Sequence, residues 1–242
     1  MTRETVYGRR PVREVIRAGR RQILELFATE RALASEPWLR DATGLRVHVE
    51  REGKLNELAG SRDHQGVVAF CEPYKYADAY ELSAGERPLI ACLDQVTDPH
   101  NLGAVCRTAE VAGATGLVIP ERRSVHVTPA VCKASAGAVE HLPVARVRNL
   151  ADFLAAAKEA GCWCYGAAAD ATTAYDQPDY RGGVVLVLGA EGKGLRPRVA
   201  AACDALVALP IRGRVASLNV SAAAAALLYG ILQRRAELDI AP

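Results

Sequence analysis

The chain has 242 residues, 50% of them hydrophobic and 24% charged, with a formal net charge of +2. That length and balance suit one large or two modest cores and exclude wholesale disorder. The charged start Met1-Thr2-Arg3-Glu4 does not read as a signal peptide, and no stretch reaches the roughly 18 uninterrupted apolar residues of a membrane helix, so the expected location is the cytoplasm, without a membrane partner.

In chain order, residues 9–18, 22–28, 45–49, 54–58 and 66–70 alternate helix-like and strand-like apolar patterns separated by Gly, Pro or charge. A small α/β domain is expected over residues 1–71. Its first part is crowded with arginines, among them Arg9, Arg10, Arg13 and Arg17. Such a cluster is either a solvated face that keeps the protein dispersed or a phosphate-binding surface. Residues 72–88 are polar and bounded by prolines, the composition of an exposed connector.

A second domain is expected over residues 89–242. Buried-strand runs at 89–93, 117–119, 162–168, 184–188 and 205–209 alternate with helical patterns at 101–111, 150–160 and 218–235. Continuous apolar strands between helices predict an α/β fold with a mostly parallel sheet covered on both faces. The last helix is rich in alanine, so its axis can lie close to a sheet or to a second subunit.

Seven cysteines lack the C-x2-C spacing of a zinc site, and five histidines include no H-E-x-x-H, so no metal is expected and the cysteines read as reduced core residues.

Three segments pair the end of a buried strand with residues that a core does not need. The first runs from Asp98-Pro99, a helix start, through Asn101 to Arg107. Six residues turn an ideal helix by about 600°, so Arg107 lies about 120° around from Asn101 and further along the axis. Asn101 reads equally as a local cap and Arg107 as a surface ion pair. The second is Leu188-Gly189-Ala190-Glu191-Gly192-Lys193-Gly194-Leu195, a Gly-rich turn that lets backbone groups approach a ligand. It is neither a Walker A loop nor G-x-G-x-x-G, and Glu191 read alone is a solvated acid in a tight turn. The third joins Leu209-Pro210-Ile211 to Ser217-Leu218-Asn219 at a helix start, where Ser217 has the form of an N-cap and Asn219 calls for a backbone partner or a ligand.

Together, in this order, the three segments resemble the motifs of the SpoU/TrmH family of RNA 2′-O-methyltransferases within the SPOUT superfamily. The resemblance spans residues 89–235, and Val6-Tyr7-Gly8-Arg9-Arg10-Pro11 with His64-Gln65-Gly66-Val67 extends it to an L30e-like substrate-binding domain. It implies a C-terminal SPOUT domain with a deep trefoil knot, a homodimer, and S-adenosyl-L-methionine as cofactor. It also implies methylation of a ribose 2′-hydroxyl, of a guanosine in large-subunit ribosomal RNA. By position, Gly189, Gly192, Leu209, Ile211 and Leu218 fall on the family's cofactor site. Asn101, Arg107, Glu191, Ser217 and Asn219 fall on its catalytic and substrate-positioning residues, and the arginines Arg9, Arg10, Arg13 and Arg17 become its expected RNA contacts. Ile211 stands where a Met is common, a volume-conserving change. A tRNA ribose methyltransferase and a non-catalytic RNA-binding protein of the same fold are the alternatives.

Overall fold

The computed structural model describes residues 2–41 and 44–240. The chain divides into two compact units. Unit 1 comprises residues 1–75 together with 127–141, and unit 2 comprises 76–126 with 142–242.

Unit 1 contains a four-stranded sheet formed by β1 (Glu4–Tyr7), β2 (Ile23–Ala28), β3 (Val47–Val49) and β4 (Val67–Cys71), in the order β1-β4-β2-β3. β4 runs antiparallel to β1 and β2, while β2 and β3 are parallel. All five residues of β4 are buried, as its central position requires, whereas β3 at the edge is half-exposed. The helix Arg9–Ala18 buries Pro11, Val12 and Val15 and ends at Gly19 in the left-handed conformation.

Segment 127–141 lies in sequence within the expected C-terminal domain, yet it packs in unit 1. Its helix Pro129–Ala134, capped by Thr128, lies against β1, and its short 3-10 turn Ala138–Glu140 lies against the Arg9–Ala18 helix. A buried ion pair holds it. The Arg21 guanidinium donates to Glu140 through Nε at 3.0 Å and Nη2 at 2.5 Å, and to Glu4 through Nη1 at 3.1 Å. The Arg21 and Glu140 side chains are 2% and 1% exposed, so neither charge is left to solvent. Burial works against the Arg21 cation, but the hydrogen bond and charge of Glu140 outweigh it and raise the pKa above the usual guanidinium value.

Unit 2 is built on a seven-stranded sheet. Its strands are β5 (Leu89–Asp94), β6 (Gly116–Pro120), β7 (Val144–Val147), β8 (Cys162–Ala167), β9 (Thr173–Ala174), β10 (Gly183–Gly189) and β11 (Ala205–Ala208). The order is β7-β6-β5-β10-β8-β11-β9, and every pairing is parallel. β5, β6 and β10 are buried along almost their whole length, the mark of strands covered on both faces. Strands β7 and β9, absent from the sequence reading, are the two outer ones; β7 is only four residues long and begins after a Pro.

The Ala-rich helix runs over Val220–Ile240 and packs on the helix Pro99–Val111 and on β10. At Gly230 the same helix comes close to the Tyr175 ring, which a Cβ at that position would overlap. All seven cysteines are free, and burial pushes the thiols of Cys71, Cys106 and Cys164 up to about 12, so they stay protonated at neutral pH. No helix among the described residues is long and apolar enough to cross a membrane.

Candidate active site

In a parallel sheet, loops that leave the carboxyl ends of neighbouring strands converge on one edge, and that is where α/β folds bind ligands. β5 and β10 are neighbours, with Asp94 in register with Gly189. The first motif follows β5, the second follows β10, and the third follows β11, two strands further along. Three segments distant in sequence therefore meet because their strands share a sheet.

The meeting is made by side chains. Asn101, 9% exposed in the first turn of the Pro99–Val111 helix, donates from Nδ2 to Glu191 Oε1 at 3.1 Å. Asn219 donates from Nδ2 to Asn101 Oδ1 at 3.0 Å and to Glu191 Oε1. Its own Oδ1 accepts from the Ser221 amide at 2.8 Å and the Ser221 hydroxyl at 2.6 Å. Asn219 thus caps the Val220–Ile240 helix with one end of its carboxamide and ties the other two motifs with the other end. The sequence reading gave the cap to Ser217. The helix begins two residues later than that reading required, so the residue immediately before it, Asn219, takes the cap and Ser217 is left exposed.

Beside this cluster lies a cavity of about 670 Å³, within the roughly 300–1,000 Å³ of small-molecule sites. Gly189, Gly192, Leu209, Ile211 and Leu218 line it, with Glu191 and Ser217. Its wall is tight where the 189–195 loop folds on itself. The Gly194 amide donates to Ala190 O at 2.9 Å, and a Cβ at Gly189 would overlap the backbone of Gly194. Gly192 and Gly194 take positive φ of 73° and 65°, where side chains are disfavoured. A loop of this kind offers backbone N–H and C=O groups to a ligand, while Leu209, Ile211 and Leu218 offer apolar contacts.

Arg107 takes no part in these hydrogen bonds. It is exposed on the Pro99–Val111 helix and has no hydrogen-bond or ion-pair partner among the described residues. The surface ion pair that the sequence allowed is therefore not formed. Also among the described residues, no group of three His, Cys, Asp or Glu side chains could hold a metal ion.

In unit 1 the four expected RNA contacts divide. Arg9 is held by Glu36 at 3.0 Å and by the Gln65 carbonyl at 3.1 Å, and it lines a groove of about 1150 Å³ with Arg31, Arg51, Arg62 and Lys133. Arg17 pairs with Glu14 at 3.2 Å. Arg10 and Arg13 have no such partner among the described residues and do not line the groove. Lys133 and Arg62 were not singled out from the sequence. Lys133 reaches the groove only because segment 127–141 packs in unit 1, which no local pattern reveals.

Comparison with known proteins settles the family. Residues 88–229 match the model of the SpoU rRNA Methylase family, and residues 5–77 match that of RNA 2′-O ribose methyltransferase substrate binding. The chain belongs to the SpoU rRNA methylase family. It is an RNA 2′-O-methyltransferase of that family, whose methyl donor is S-adenosylmethionine.

The chain is 44% identical to the uncharacterized tRNA/rRNA methyltransferase slr0955 of Synechocystis sp. over 80% of its own length, and it spans only 52% of that longer protein. It is 33% identical to the 23S rRNA (guanosine-2′-O-)-methyltransferase RlmB of Photobacterium profundum, with 97% of this chain and 99% of that one covered. The structure resembles that of an AdoMet-bound rRNA methyltransferase from Sinorhizobium meliloti with a TM-score of 0.81, at 27% identity over 96% of this chain and 87% of that one.

Proposed function

We propose that this enzyme methylates the ribose 2′-hydroxyl of a guanosine in large-subunit ribosomal RNA, in the cytoplasm, as a homodimer. The observation that carries the reading is the Asn101–Glu191–Asn219 cluster beside the 670 Å³ cavity, with an uncommitted arginine on the same helix as Asn101. Ribosomal RNA rather than tRNA is supported by end-to-end similarity to RlmB, which includes the substrate-binding unit. The exposed apolar side chains of Val215 and of Tyr229 on the C-terminal helix, neither of which lines the cavity, support a dimer, since a second copy would cover them. The knotted path implied by the family resemblance remains part of this proposal.

The residues present fit S-adenosylmethionine. Gly189, Gly192, Leu209, Ile211 and Leu218 would hold it, by backbone groups for its polar parts and by apolar side chains for the adenine. When bound it supplies a methyl group on a sulfonium, already activated for transfer, so no acyl or phosphoryl chemistry is asked of the protein. What remains for the chain is to place the 2′-oxygen in line and to favour loss of its proton.

Glu191 is held from two sides by Asn101 and Asn219, so its carboxylate is fixed rather than free to swing. Arg107 is a poor proton acceptor because a guanidinium holds its proton to a pKa above ~12. Its role is a clamp: it binds the target phosphate and favours negative charge developing on the 2′-oxygen.

The test is Arg107→Ala. As an exposed, unpaired side chain it is dispensable to folding, so the variant is expected to bind S-adenosylmethionine as the parent does and to lose methyl transfer by roughly 10²-fold or more. Single-turnover transfer of labelled methyl to a 23S rRNA fragment reads this out, and a near-parental rate removes Arg107 from the mechanism. Mapping 2′-O-methyl groups on rRNA and tRNA from cells that lack the gene decides between the two RNA classes.

A further inference from the structure

We infer that Asp94 and Arg196 form a positioning clasp that closes the 189–195 loop and so sets both the wall of the cofactor cavity and the orientation of Glu191. This rests on the placement of S-adenosylmethionine against that loop.

Asp94 is the last residue of β5 and its side chain is wholly buried, an uncommon place for a carboxylate unless it is fully engaged. It is engaged on both oxygens by one residue. Oδ1 accepts from Arg196 Nε at 2.7 Å, and Oδ2 accepts from the Arg196 backbone amide at 2.9 Å. At the same time the Asp94 backbone lies in register with Gly189 of β10. One residue therefore fixes both ends of the loop: Gly189 where it leaves the sheet, and Arg196 where it enters the helix Pro197–Ala202.

Between these points the loop's backbone is tied by the bond from Gly194 to Ala190, Leu195 packs on the core and Glu191 is bonded by side chains of other elements, while the glycines at 192 and 194 take positive φ. A loop with such glycines needs its span set from outside if its backbone is to present a defined surface to a ligand. Glu191 lies within that span, so the closure also determines whether its carboxylate meets Asn101 and Asn219. Asp94 and Arg196 are positioning residues by this account. Neither needs to touch the methyl group or the ribose.

Arg196→Ala removes the Nε contact and keeps the backbone one; Asp94→Asn keeps the shape and removes the charge. Calorimetric titration with S-adenosylmethionine, at a temperature well below melting where each variant is fully folded, is expected to show a Kd raised about tenfold or more in Arg196→Ala. Arg196→Lys, which keeps a cation, should recover part of the loss. Asp94→Asn in the Arg196→Ala background should add little, because both changes open one clasp.

A Kd at the parental value in fully folded Arg196→Ala, with only the melting temperature lowered, would overturn the proposal by making the pair a stability element alone. Should Asp94→Asn fail to fold, the Arg196 series decides by itself. Leu218→Trp, a change at an exposed residue that fills the cavity, separates this from the cofactor placement. If it abolishes binding while Arg196→Ala does not, the placement stands and the clasp falls; if it leaves binding intact, both fall.

Discussion

The two units use charge in opposite ways. In unit 1 most of the arginines that stand out in the sequence are consumed by the fold: Arg3 pairs with Glu25, Arg9 with Glu36, Arg17 with Glu14, and Arg21 with Glu140. In unit 2 the polar residues of the three motifs hold one another, and the one arginine beside them on the same helix, Arg107, is left without a partner. Counting charges along a chain measures supply. What is available to a ligand is the part that the fold leaves uncommitted.

The largest effect that would sharpen this contrast is expected at Arg21. Truncation to Ala leaves the Glu140 carboxylate buried without its partner, a loss of about 3–5 kcal/mol. Chemical denaturation should show that loss in the transition of unit 1, with S-adenosylmethionine affinity of the folded protein unchanged. The double change Arg21→Met with Glu140→Leu should regain most of it, since a buried ion pair contributes little over a well-packed apolar pair. An Arg21→Ala variant as stable as the parent would mean that the pair is not what ties segment 127–141 into unit 1.

A smaller effect tests commitment directly. If uncommitted arginines are the ones that meet RNA, then Arg10→Ala with Arg13→Ala should weaken binding of an rRNA fragment and lower the slope of log K against log salt by about 1–2, the expectation for two phosphate contacts. Arg17→Ala, which removes a side chain already paired with Glu14, should change that slope less. Equal changes in the two variants would break the comparison.

The smallest effect is a pH dependence confined to unit 1. His64 is buried, accepts the Gly66 amide on Nδ1 at 2.9 Å, and keeps its proton on Nε2 facing Asn56 Oδ1 at 3.0 Å. Burial holds its pKa below the ordinary 6.5. The unfolded chain therefore takes up a proton that the folded one refuses, so stability falls as pH drops from 6.5 toward the lowered value and levels off below it. His64→Gln should flatten this part of the stability–pH curve, while the curve above pH 6.5 stays as in the parent. Persistence of the full dependence in His64→Gln would assign it to other groups.

Much of unit 2 was legible in the sequence because its information is local. A buried parallel strand must be a continuous apolar run, and a loop that carries backbone to a ligand must be Gly-rich and follow such a run, as 184–195 does. The helix cap was misassigned by two residues because Ser217 and Asn219 both have capping side chains, and only the position of the first helical turn chooses between them. The outer strands β7 and β9 went unread because short edge strands lack the apolar length that marks the central ones.

By itself the sequence determined the α/β alternation, the order of the three motifs and their resemblance to one enzyme family, since each depends on residues close together in the chain. Only the tertiary structure decided that Asp94 would grip Arg196 across 102 residues and Arg21 would grip Glu140 across 119. It also decided that Lys133 would face a groove of unit 1 and that Arg107 would stay free. Pairings of that kind have no spacing to betray them. They form because burial makes an unpaired charge costly, and which charges become buried together is settled only when the sheet and its helices are in place.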